Sequence, residues 1–324
     1  MPRIRTWLTD RFDLDLPVVT ASMAGVATGG FAAAASTAGV LGTIGVGSRA
    51  TGAWIDAQVA TAAATGRPFG IGLMAWAQPA APEQLEAALR ARPALVSVSF
   101  GDFAPYVRPL QAEGITVVTQ VGSVEQARRA VDAGVDAVVA RGGEAGGHGY
   151  NLVALLPLLQ MVVESVDIPV LAAGGISTAR GLAAVLAAGA AGAWVGTAFT
   201  CCQESGWAED QVAATAGATE TSTAFGRVFD IASGVGWPED TGGRAIQNAY
   251  FERWSGHEQE LLDDAEALAQ FRAAPEGRDF ETMPVYVGQG VGLLDGSRPT
   301  VVQVVTQLSG AAELLTSAAA RVEG

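Results

Sequence analysis

A (β/α)8 TIM barrel with a smaller, mostly helical domain inserted after its eighth strand is the fold class this sequence predicts, and three observations lead to it. Short, β-branched apolar runs recur eight times, at spacings of roughly twenty to thirty residues. Each is followed by an Ala-rich stretch of helical length, as a repeating βα unit requires. The runs are continuously apolar instead of alternating, the pattern of strands whose outer face is covered by helices.

In order, the runs are PVVTASM at 17–23, LGTIGVG at 41–47, FGIGLMA at 69–75, LVSVSF at 95–100, TVVTQV at 116–121, AVVARG at 137–142, PVLAAGG at 169–175 and GAWVGTAF at 192–199. After the fifth, Ser123 is the expected N-cap of a helix, with Gln126 completing a capping box and Gly134 as its stop. After the seventh, Ser177 is the expected cap and Gly189 the terminator. Beyond the eighth run, from about Gln203 to Met283, the chain turns polar, acidic and helical in period. The predicted organisation is therefore a barrel over 1–205, a mostly helical excursion over the barrel mouth at 206–282, and a return segment at 283–324. The return begins with MPVYVGQGVGLL at 283–294, a strand-like run with a Gly-rich turn, and ends in a closing helix from Thr300.

At 324 residues the chain suits one large domain with an excursion. Aromatics make up 7% of it and glycines number 41, so its core relies on Ala, Val, Leu and close backbone approach. A formal charge of −14 argues against binding nucleic-acid phosphates. The N-terminus MPRIRTWLTDRF lacks a signal peptide's apolar core. The uncharged stretch Gly181 to Gln203 is broken by Gly189, Gly192 and Gly196, and reads as a buried helix and strand instead of a membrane span. The two cysteines, Cys201 and Cys202, are adjacent; they read as buried small residues in a reducing, cytoplasmic setting, and no metal-ligand spacing occurs.

Two motifs are set aside. Gly45, Gly47 and Ala50 fit a dinucleotide fingerprint, but after Asp56 no acid appears until Glu83, where a ribose-binding carboxylate would be needed sooner. Gly142 and Gly147 have P-loop spacing, yet His148 and Gly149 stand where Lys and Ser/Thr must be. The loops after the last two barrel strands are the usual phosphate site of this fold. Here they carry Gly174, Gly175, Gly196 and Thr197, with bare backbone for close approach and one hydroxyl donor. The loop after the sixth run, GGEAGGHGY at 142–150, sets His148 among glycines at the same rim, where it can project over a flat ligand. His257, in the acidic excursion, reads as a solvated helix residue.

PVVTASMAGVATG, GGEAGGHG, PVLAAGGIS, VGTAFTCCQES and MPVYVGQGVGLL together resemble the nitronate monooxygenases, formerly called 2-nitropropane dioxygenases. The resemblance implies a barrel that binds FMN non-covalently, with Gly174, Gly175, Gly196 and Thr197 at its phosphate, Gly146 beside it, and Met23 passing its backbone by the flavin ring. It implies that His148 is the active-site histidine, a base towards nitroalkanes or a hydrogen-bonding and electrostatic group towards nitronates. The implied reaction takes a small nitronate and O2 to a carbonyl compound and nitrite. Nucleic acid and membrane are not expected partners, and a homo-oligomer is compatible with the sequence.

Three departures from the family pattern stand out: Ser22 where Pro is common, Gly72 where an Asn contacts the flavin, and Arg141 where Gln is common. Arg141 is expected either to stabilise an anionic flavin or to pair with a carboxylate such as Glu144. Trp76, Phe100, Phe103 and Tyr150 shape the pocket or pack beneath the excursion. The alternative activities on the same site are NAD(P)H-dependent enoyl-thioester reduction and NAD(P)H:quinone reduction; a third reading is a flavin-binding or regulatory protein without turnover.

Overall fold

The computed structural model describes residues 4–322. Eight parallel strands stand where the eight runs lie: β1 (Val18–Thr20), β2 (Gly42–Gly45), β3 (Phe69–Met74), β4 (Leu95–Ser99), β5 (Thr116–Val121), β6 (Ala137–Arg141), β8 (Val170–Ala173) and β9 (Gly192–Val195). Between β6 and β8 runs a short extra strand, β7 (Gly147–Gly149). The barrel order is β1-β9-β8-β6-β5-β4-β3-β2. A parallel bridge between Val19 and Leu41 closes it, with the Leu41 N–H donating to the Val18 carbonyl at 2.9 Å and the Thr20 N–H to the Leu41 carbonyl at 3.0 Å.

The two-residue period of a strand divides the side chains. In β6, Val138 and Ala140 face the helices, whereas Ala137 and Val139 join Val19, Leu41, Leu95, Val118, Leu171 and Trp194 inside the barrel. Leu8 and Phe12, on the helix Trp7–Phe12, belong to the same inner cluster and plug the N-terminal end. Continuing each period toward the strands' C-terminal ends brings Thr43, Ser97, Ser99, Gln120 and Arg141 inward. The barrel interior therefore changes from apolar at its base to polar at its rim, and the rim is where a site can form.

Several local expectations are refined. Ser123 caps its helix by accepting from the Gln126 N–H, but the Gln126 side chain accepts from the Gly122 N–H at 2.6 Å instead of closing the box on Ser123. Thr178, not Ser177, caps the helix Ala179–Ala187, because its hydroxyl reaches the Gly181 N–H. The excursion holds helices, chiefly Val228–Ser233, Ala249–Trp254 and Ala265–Gly277, but also two strands, β10 (Thr223–Gly226) and β11 (Gly242–Ile246). These form an antiparallel sheet in the order β10-β11-β7, so the excursion is joined to the barrel through backbone pairing with the His148 loop. Residues 284–288 belong to no sheet; the Ile246 N–H donates to the Val285 carbonyl and the Gly288 N–H to the Thr197 hydroxyl, and a 3-10 turn follows at Gln289–Leu293. The tail forms two consecutive helices, Val301–Ser309 and Ala311–Ala319.

Candidate functional site

A cavity of about 640 Å³ opens at the strands' C-terminal ends, within the range of small-molecule and cofactor pockets. Met23, Gly72, Arg141, Gly146, His148, Gly174, Gly175, Gly196 and Thr197 all line it. The sequence scattered these residues over seven loops and strand ends, and the barrel gathers them.

Each glycine of the His148 loop answers to a different neighbour. A Cβ on Gly142 would meet the Glu144 carboxylate and the Leu155 backbone, and one on Gly143 the Asn151 side chain. At Gly146 it would lie 2.3 Å from the Gly288 nitrogen, at the backbone of the return segment. Gly147 has φ +70°, and a Cβ on Gly149 would collide with the Arg141 guanidinium. The imidazole thus sits in a loop approached closely by side chains at Gly142, Gly143 and Gly149 and by backbone at Gly142 and Gly146.

The Arg141 guanidinium is engaged by the loop's own backbone. Arg141 is 3% exposed, and its Nη2 donates to the carbonyls of Ala145, Gly146 and Gly147 at 3.0–3.1 Å. Its Nη1 reaches the Tyr150 carbonyl at 3.4 Å. The pairing with Glu144 is not made; the Glu144 carboxylate accepts from the Leu155 N–H instead. Burial, with Arg244 beside it, pushes the Arg141 guanidinium down to about 10, and Glu144 works against that shift. Arg244, from β11, donates to the Gly143 carbonyl at 2.9 Å and to Asn151 Oδ1 at 3.3 Å, and burial lowers it as well. Two buried guanidinium groups therefore hold the loop by its carbonyls.

His148 lies on β7 opposite Gly243 of β11. Its Nε2 is 2.6 Å from Asp230 Oδ1, and its ring stacks on Trp237 at 3.7 Å between centroids with 3° between planes. Tyr286 stands 5.0 Å away, tilted by 48°. Burial, reinforced by the Asp230 carboxylate, raises the Tyr286 phenol, so it stays a neutral O–H. Trp237 also packs against Trp76 at 5.1 Å and Phe100 at 5.6 Å. Phe100 carries a left-handed φ of +66°, uncommon for a bulky residue, at the cavity wall. Of the aromatics singled out in the sequence, Phe100 lines the cavity and Trp76 reaches it through Trp237. Phe103 packs on the core and Tyr150 over Gly122.

Asp230, Trp237, Tyr286 and Arg244 were not found by sequence reasoning. The only available signal was one acid in the otherwise apolar helix start VFDIA at 228–232, followed by a Trp-Pro between glycines and acids. His257 is exposed and bonds only Glu260 on the surface. Cys201 and Cys202 are buried free thiols, and burial pushes the Cys202 thiol up to about 12.

The cavity fits a flat, phosphate-bearing cofactor. The N–H groups of Gly175, Ile176, Ser177 and Thr197 have no protein acceptor among the described residues, and all four residues line the cavity. Gly174 and Gly175 have φ +129° and +63°, a conformation that turns successive N–H groups outward at the start of the helix Ala179–Ala187. The Thr197 hydroxyl accepts from the Gly288 N–H at 3.0 Å, which leaves its own proton to donate. At Gly72, a Cβ would fall 2.2 Å from the Ser22 Cβ, so two of the departures from the family pattern touch one another; Ser22 Oγ donates to Thr43 Oγ1 at 3.0 Å.

Barrel, turns with N–H groups open to the cavity and a buried histidine–carboxylate pair make this rim the candidate active site. The nitronate monooxygenase family model matches residues 5–310, and the chain belongs to that family. It is 37% identical over 205 residues to the (3aS,4S,5R,7aS)-5-hydroxy-7a-methyl-1-oxo-octahydro-1H-indene-4-carboxyl-CoA dehydrogenase of Rhodococcus jostii, a match covering 63% of this chain and 58% of that protein. Among solved structures it resembles FabK from Thermotoga maritima, with a TM-score of 0.86 at 27% identity over 98% of this chain and all of that one. It also resembles the nitroalkane oxidase of Streptomyces ansochromogenes, with a TM-score of 0.82 at 28% identity over 96% of this chain and 99% of that one. Among the described residues no helix is long and apolar enough to cross a membrane.

Proposed function

We propose that this protein binds FMN and oxidises alkyl nitronates with O2 to a carbonyl compound and nitrite. The observation that carries the reading is His148: Nε2 is engaged by Asp230, while Nδ1 has no partner among the described residues, on a ring that lines the cavity. The turns Gly174–Ser177 and Gly196–Thr197 would hold the cofactor's phosphate. Met23, Gly72 and Gly146 would stand along the rest of the cofactor, with Arg141 behind the loop. When bound, FMN accepts electrons from the substrate and passes them to O2. His148 Nδ1 accepts the α-proton of a nitroalkane, or, once protonated, donates a hydrogen bond to a nitronate oxygen. The chain contains no lysine, so no amine competes for these roles. Phe229, Val235, Trp237 and Phe271 form an apolar wall over the rim, which excludes water and suits a neutral alkyl tail. The buried free thiols agree with a cytoplasmic setting.

A second reading is NAD(P)H-dependent reduction of an enoyl thioester or of a quinone at the same site; the CoA ester in the name of the Rhodococcus relative, a dehydrogenase, supports a thioester substrate. One experiment separates the two. The FMN-loaded protein is mixed anaerobically with a nitronate, and separately with NADH and NADPH, and the flavin absorbance is followed by stopped flow. Fast bleaching by nitronate with inert pyridine nucleotides is the expected result. The reverse would sink the nitronate reading and turn the search to thioesters and quinones.

A further inference from the structure

We infer that Asp230 is a positioning residue for His148: it keeps the imidazole proton on Nε2 and so leaves Nδ1 as the acceptor presented to substrate. The inference builds on the proposed role of His148, but its evidence is geometric. A carboxylate can only accept, so in the 2.6 Å contact between Asp230 Oδ1 and Nε2 the shared proton belongs to the ring nitrogen. The parallel, stacked ring of Trp237 fixes the plane of the imidazole, and the bare Gly243 opposite leaves room for it.

Asp230 is placed by apolar packing. It is 5% exposed, on the helix Val228–Ser233, whose Val228, Phe229 and Ala232 join Phe251 and Phe271 in a hydrophobic cluster. Its second oxygen, Oδ2, is buried with no protein partner, an arrangement that stability alone disfavours. A purely structural role, locking the excursion to the barrel, is already filled: β11 pairs with β7, and Arg244 ties β11 to Gly143 and Asn151. What the Asp230 contact adds is control of the ring's tautomer.

The chain's two histidines make this directly measurable. Histidine labelled with nitrogen-15, in a His257→Gln background that removes the exposed second ring, gives a single imidazole whose long-range proton–nitrogen correlations report the tautomer. The expected wild-type signature in the FMN-loaded protein is Nε2–H with an unprotonated Nδ1. In Asp230→Asn the side-chain amide can donate to Nε2, so the proton should move to Nδ1. Turnover of a nitroalkane, whose α-proton Nδ1 has to accept, should then fall on the order of 10²–10⁴-fold in kcat, the scale on which a mis-set tautomer or a lost general base acts, while FMN content is kept. In Asp230→Ala, added formate should restore both the Nε2–H signature and turnover. An Nδ1–H tautomer in the wild type overturns the inference without any variant having to fold. So does an Asn variant that keeps both the wild-type tautomer and its kcat. If the wild type turns over no nitroalkane, the tautomer and its formate rescue are still read by resonance, so that failure stays separate from this one.

Discussion

Arg141→Gln should damage the fold before it damages the chemistry. The guanidinium serves four carbonyls, those of Ala145, Gly146, Gly147 and Tyr150, between 3.0 and 3.4 Å. A glutamine amide has two N–H groups, so at least two part-buried acceptors lose their donor, at about 1–3 kcal/mol each, or about 2–6 kcal/mol together. Against this, the substitution removes a cation whose burial is already costly, since burial pushes its pKa down to about 10. The net loss should therefore lie in the lower part of that range, about 2–3 kcal/mol, a large share of a total of about 5–15. Arg141→Met offers no donor at all and should lose about 4 kcal/mol or more. The assay is urea unfolding of both variants by circular dichroism, with amide exchange of residues 143–150 as the local readout. The expected order is wild type, then Gln, then Met, with exchange accelerated first in this loop. Stabilities within about 0.5 kcal/mol of wild type for both variants would refute the idea that the guanidinium holds the loop. The separate expectation that Arg141→Gln lowers the flavin potential is to be measured on protein shown to be folded, because loop loosening alone would alter the cofactor's surroundings.

Alkaline stability and substrate choice give two further tests. The Cys202 thiol, raised from 9.0 to about 12 by burial, stays protonated in the fold after the unfolded chain has begun to ionise. Its contribution is complete below pH 9 and is lost between pH 9 and 12, at up to about 1.4 kcal/mol per pH unit. Cys202→Ala should flatten that part of the stability profile in pH-dependent urea melts; an unchanged slope would contradict the burial argument. For substrates, the apolar wall of Phe229, Val235 and Phe271 should raise kcat/KM by up to about fourfold for each methylene from ethyl to hexyl nitronate, following about 0.8 kcal/mol per buried CH₂. The wall offers no cation to a carboxylate, so propionate 3-nitronate should be the poorer substrate. A preference for the charged nitronate would reject this account of the wall.

The barrel was legible because its signals are local. Eight runs of 4–8 apolar residues bounded by glycine or polar residues specify strands whatever the rest of the chain does, and the period of two then points Arg141 inward with Ala137 and Val139. The site residues that follow these strands were legible for the same reason, since a barrel fixes where a strand's C-terminal end lies. The partner of His148 was not. Asp230 lies 82 residues further on, and it reaches the imidazole only because Gly242–Arg244 pair with Gly147–Gly149 in one register. Nothing in GGRAI or GHG alternates in a way that announces a strand, because both are held by backbone and by arginines instead of by a buried side-chain face. The glycines that obscured the pairing also permit it. Bare backbone at 146, 149 and 243 is what lets the return segment, the Arg141 guanidinium and the Tyr286 ring close on one imidazole. A sequence pattern shows that side chains are missing from such a loop, whereas what fills the space is set by chain segments far away, and the geometry of the candidate site is a property of that filling.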